Sequence, residues 1–147
     1  MPIVSFNLDK TLAERTGKLT KGMQARHNIT VTSVDKEDIR LGEKNTKPGL
    51  KFGFEYIVEY LPKVGKVIVA GTILFLDNEK KIKQTLDDWK KNKKLSPELA
   101  AQVLNTAIVK STIKALHLSQ EINLPPHMPI PTVTPTPQQG KEQDYIG

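Results

Sequence analysis

The clearest pattern in the chain runs from Leu95 to Leu118. Ala100, Val103, Leu104, Ala107, Ile108, Ser111, Ala115 and Leu118 follow one another at steps of three and four, so they share one stripe of a helix. Its start is well marked. Ser96 can accept from a free backbone N–H of the first turn, Pro97 has its φ preset for the first helical position, and Glu98 complements the positive dipole end. Much of the stripe is Ala and Ser, which lets a helix lie close on a flat partner. The helix is expected to stop near Gln120, before Leu124-Pro125-Pro126, because a residue preceding proline leaves the α region.

The segments before it have a period of two. Val4, Phe6 and Leu8 alternate with Ser5, Asn7 and Asp9, which predicts a first strand, continuing irregularly into the polar stretch from Lys10 to His27. Ile29 to Val34 is β-branched and predicts a second strand running towards Leu41 through a bulge. After a turn region over Gly42 to Gly49, Leu50, Phe52, Phe54, Tyr56, Val58 and Tyr60 fall on one face of a third strand, and Lys51, Gly53, Glu55 and Glu59 on the other. Pro62-Lys63-Val64-Gly65 reads as a reverse turn in which glycine takes the left-handed position. Val67 to Leu76 is apolar on both faces, as a central strand is, or one whose second face is covered by another chain. Ile82, Leu86 and Trp89 then define a short helix capped by Asp77 or Asn78. The resulting class is α+β: a four-stranded antiparallel sheet with two C-terminal helices packed on one face. The expected division is one domain over residues 1–131 and a disordered, Pro/Gln-rich polar tail over 132–147. Between them, Leu124 to Ile130 forms a proline-rich arm that can lie back over the core.

Composition narrows the chemistry. The 147 residues contain no cysteine, which removes disulfides, thiolate metal sites and thiol catalysis. No basic region followed by an apolar run opens the chain, and no apolar stretch approaches about 20 residues. A soluble, cytoplasmic protein without a membrane span is therefore expected. The net charge of +6 is carried almost entirely by lysine, since the arginines are Arg15, Arg26 and Arg40 alone. That balance fits an acidic partner, and equally the lysine-rich composition of heat-adapted proteins.

Catalytic patterns are missing. His27, His117 and His127 fall in three different settings with no metal-ligand spacing, so no metal or cofactor is expected. Asp87 and Asp88 point about 100° apart on a helix and are flanked by lysines, and no nucleophile elbow or phosphate-binding glycine loop is present. The chain reads as a binding protein rather than an enzyme. Lys80, Lys81, Lys83, Lys90, Lys91, Lys93 and Lys94 crowd the short helix around Trp89, a combination able to neutralise phosphates and stack a base. Against this, Trp89 continues the Ile82 and Leu86 stripe and is expected in the core.

From Leu50 onward, the strand Val67 to Leu76, the helix Pro97 to Gln120 and the segment Ile122-Asn123-Leu124-Pro125-Pro126 resemble the SecB export chaperone family, a likeness of layout covering roughly residues 3–133. That resemblance implies a SecB-like holdase that binds unfolded or nascent polypeptide, takes part in protein export, and assembles as a dimer or tetramer through edge strands and long helices. The family docks its motor through an acidic sheet surface, whereas this chain is basic. On this reading the client contacts are Ile57, Leu61, Ile68 and Leu74, on a sheet face left open by the helices. The alternative is an RNA-binding or ribosome-associated protein that uses the lysine-rich helix.

Overall fold

The computed structural model describes residues 3–129, 131, 133 and 135. Four strands, β1 (Ile3–Arg15), β2 (Gln24–Arg40), β3 (Thr46–Leu61) and β4 (Gly65–Leu76), form one antiparallel sheet in the order β1-β4-β3-β2. Two helices follow, α1 (Glu79–Asn92) and α2 (Pro97–Glu121). The apolar run of β4 therefore means a central strand, flanked by β1 and β3. The tail expected over 132–147 lies outside the described residues except for Val133 and Pro135.

Strand alternation decides what is buried. Leu50, Phe52, Phe54, Tyr56, Val58 and Tyr60 of β3, and Val67, Val69, Ile73 and Phe75 of β4, are buried beneath the helices and the segment that follows them. Two clusters result along the sheet. One gathers Leu50, Phe52, Phe54, Ile73 and Phe75 with Ile82 of α1 and Val103 and Ala107 of α2, with Trp89 packed against it as the Ile82 and Leu86 stripe implies. The other gathers Tyr56, Val58, Tyr60, Val64, Val67 and Val69 with Ala115 and Leu124. The seam of α2 against the sheet is Val103, Ala107, Ser111, Ala115 and Ser119, all buried at steps of four. Small side chains bring the helix close. Ile108 departs from the expected stripe: it is 36 % exposed, because a four-residue seam drifts around the helix and turns it outwards.

Bulges redirect side chains that simple alternation misplaces. β1 carries irregularities at Val4 and Asp9 against β4, so Phe6 lies opposite Ile73 but Leu12 lies opposite Ile68. Val4 consequently leaves the face of Phe6 and is exposed. In β2 the extra residue Thr32 puts both Val31 and Val34 opposite core residues, Phe54 and Phe52. The turn after β3 also differs from expectation. Lys63 takes the left-handed conformation, with φ 49°, not Gly65. Gly65 is needed for another reason, since a Cβ there would overlap the Glu14 carbonyl oxygen of β1.

The end of α2 is set before the prolines act. Asn123 adopts a left-handed φ of 59°, the Leu124 N–H donates to the Ser119 carbonyl at 2.8 Å, and the Asn123 N–H donates to Gln120 at 3.3 Å. This is a Schellman closure with asparagine in the usual glycine position. It reverses the chain and aims Leu124 at the core.

Candidate functional site

Two surfaces are built by this frame. The first is the sheet face opposite the helices. Ile57 alternates with buried Tyr56 and Val58, Ile68 with Val67 and Val69, and Leu74 with Ile73 and Phe75, so all three point to the open side, as Leu61 does after buried Tyr60. Each is half-buried. The register brings only two of the four together: Ile57 lies directly opposite Ile68. Leu12, moved by the bulge at Asp9, lies opposite Ile68 on its other side and completes an apolar row about 10 Å wide across β1, β4 and β3. Leu12 was missed by the sequence reasoning, because without the bulge it would share the face of Phe6. Leu74 stands apart, about 20 Å along β4 with Ala70 and Thr72 between, and Leu61 lies at the far end of β3.

Charged rows flank that apolar row. On one side Glu14, Lys66, Glu59 and Arg26 sit in register, with the Arg26 guanidinium donating to the Glu59 carboxylate at 3.0 Å. On the other, Lys10, Ala70, Glu55 and Thr30 are aligned. The open face is thus a narrow apolar band with polar rims, not a broad apolar sheet.

The second surface is the strap that follows α2. Leu124 is 4 % exposed and His127 7 %. The Tyr60 hydroxyl donates to the Pro125 carbonyl at 2.6 Å. The Tyr56 hydroxyl is 2.9 Å from His127 Nε2 and receives a 3.4 Å bond from the Thr112 hydroxyl of α2. Among the described residues the other ring nitrogen, Nδ1, is buried without a hydrogen-bond partner. Burial holds both tyrosines above the usual phenol range, keeping them protonated donors. Burial, then the nearby His27, pushes His127 below its ordinary value.

The histidines therefore do not stay in separate settings. β2 carries His27 to within 5.7 Å of the His127 ring and 5.9 Å of the Tyr56 ring. His117 remains apart on the outer face of α2, 3.1 Å from Glu121 one turn on. Among the described residues no cluster of three or more metal-ligating side chains occurs.

The lysines of α1 are all exposed but not on one side. Lys81 lines the cleft that α1 shares with Glu98 and Gln102 of α2, whereas Lys80 and Lys83 line the groove towards Lys36 of β2. Lys93 caps the helix in a left-handed conformation and lays its ammonium 5.4 Å from the Trp89 ring centre. The outer face of α2 is different again. Val109 and Ile113 are 59 % and 64 % exposed, an apolar ridge left uncovered among the described residues.

No protein-family model matches the chain, and no curated protein matches it significantly in sequence. Among solved structures, its fold is similar to that of the SecB-like chaperone Rv1957 of Mycobacterium tuberculosis, determined in complex with a ChAD peptide from the HigA1 antitoxin. The two superpose with a TM-score of 0.52 at 13 % identity over 92 % of each chain. The fold is thus shared with a SecB-like chaperone: a four-stranded antiparallel sheet with two C-terminal helices on one face. No helix among the described residues is long and apolar enough to cross a membrane.

Proposed function

We propose that the protein is a non-enzymatic, SecB-like holdase that binds unfolded polypeptide along its open sheet face. The observation that carries this reading is the Leu12, Ile68 and Ile57 row, an apolar band that the chain's own helices leave uncovered. A client segment laid across it removes apolar area from water, at about 25 cal/mol per Å², while the flanking charged rows keep the face soluble when empty. The SecB-like fold adds weight, since its similar structure from M. tuberculosis holds a peptide. On this reading the protein acts in the cytoplasm as a homo-oligomer. The Val109 and Ile113 ridge of α2 supports self-association, because an exposed apolar helix face is the kind of surface that a second copy buries.

The test is fluorescence anisotropy of a labelled, permanently unfolded polypeptide titrated with the protein at moderate salt, with and without excess structured RNA. Binding that resists salt and RNA, and that falls at least tenfold in Ile57→Asp, is expected. Absence of polypeptide binding beside tight, salt-sensitive binding to the RNA would overturn the reading and move attention to the lysines of α1. Sedimentation of Ile113→Lys tests the ridge: a smaller species than wild type is expected.

A further inference from the structure

The strap from Leu124 to Pro129 belongs to no helix or strand, yet it is the cover of a preformed apolar cluster. What holds it is a short set of groups: one leucine side chain lying against Gly65 and packed with Tyr56, Val58, Tyr60, Val64, Val67 and Val69; one main-chain carbonyl, that of Pro125, taken by Tyr60; and the Nε2 of His127, hydrogen-bonded to Tyr56. Prolines 125 and 126 keep the segment extended, so little order has to be imposed on it. The leucine anchor and the main-chain carbonyl are not peculiar to this chain. Any extended segment with a leucine followed by proline presents the same anchor and the same carbonyl.

Two further observations bear on exchange. The fit is imperfect: among the described residues His127 Nδ1 is buried without a hydrogen-bond partner. The seat is also continuous with the open face: Tyr60, Leu61 and Gly65 together line a shallow depression at the β3–β4 turn, Gly65 touching Leu124 on one side and Leu61 facing the open side. We propose that the socket under the strap is a binding site for extended, leucine- and proline-containing peptide segments, and that the strap is its intramolecular occupant, competing with client for the same seat. This rests on the polypeptide-binding reading and gives that activity a built-in competitor.

The experiment uses the full chain and a fluorescein-labelled peptide of residues 120–129 as probe. In wild type the probe binds weakly, because the strap occupies the socket. Leu124→Ser loosens the strap without altering the socket, and is expected to bind the probe at least tenfold more tightly. Adding Tyr60→Phe removes the donor to the carbonyl and takes back several-fold of that gain. His127→Ala, which frees the strap by a different contact, shifts affinity in the same direction and keeps the test decisive if Leu124→Ser does not fold by circular dichroism. Equal probe affinity in wild type and in the folded strap variants overturns the proposal. If those variants are inert while Ile57→Asp still abolishes binding of the unfolded polypeptide, the competition is wrong and the open-face reading stands.

Discussion

The two ends of β3 are built from nearly the same residues and covered in opposite ways. At one end Phe52 and Phe54 lie under α1 and the first half of α2; at the other, Tyr56 and Tyr60 lie under the second half of α2 and the strap. A helix satisfies its own backbone, so the side chains beneath it need only shape, and phenyl rings suffice: Phe6 stacks on Phe54 at 5.3 Å and Phe52 meets Phe75 edge-on at 6.2 Å. An irregular strap brings unpaired carbonyls into the interior, and each needs a donor. The Tyr60 hydroxyl supplies that donor to the Pro125 carbonyl, and the Tyr56 hydroxyl meets the imidazole Nε2 of His127. The Tyr60 hydroxyl thus marks the place where irregular chain lies above the strand.

This contrast can be broken in order of size. Phe54→Ala should destabilise the whole fold by about 3–5 kcal/mol, read as a shift of the urea midpoint, because no part of the sheet can detach to relieve the cavity. Leu124→Ala removes a comparable apolar contact, about 2–5 kcal/mol at a rigid site, yet should move the midpoint less than Phe54→Ala does, because the strap can undock locally and cap the loss. Equal shifts for the two would mean that both ends unfold as one unit. Tyr60→Phe should cost about 1 kcal/mol, seen as faster amide exchange confined to the end of α2 and the strap.

The smallest effect is that of acid. His127 titrates from its ordinary value of 6.5 when the strap is free and from a lower value when it is docked. Docking is then fully favoured above the ordinary value, and weakens as pH falls through it towards the lowered one, where the loss levels off. The groups facing the ring are His27 from β2, Tyr56 from β3 and, through Tyr56, Thr112 from α2. Among the described residues no carboxylate pairs with it to oppose the effect. Strap opening in wild type, read from amide exchange corrected for its intrinsic pH dependence, should increase as pH falls below about 6.5, and His127→Gln should flatten most of that increase. An unchanged slope would show that the imidazole is not the group being titrated.

Much of this architecture was legible in the chain itself. Periodicity of two and of three to four marked four strands and two helices, Ser96 was recognisable as a cap, the cap of α1 was narrowed to Asp77 or Asn78, of which the structure uses Asn78, and the small residues of α2 foretold its close approach to the sheet. Alternation set Ile57 and Leu61 apart from the aromatic face of β3, while which face of the sheet stays open was not legible until the helices were placed. The legible properties are local, set by a residue and those within one turn or one pleat of it, so the order of side chains determines them.

What the sequence could not determine depends on pairing between distant segments. Leu12 joins Ile68 and Ile57 because one extra residue at Asp9 reverses the facing of β1, and nothing in the alternation of Thr11, Leu12 and Ala13 announces it. His27 and His127 meet because β2 pairs with β3 in one particular register and because the Schellman closure at Asn123 folds the strap back over Tyr56, 71 residues from His127 in sequence. Register and chain reversal are settled by the summed packing of whole elements, and only the tertiary structure performs that sum.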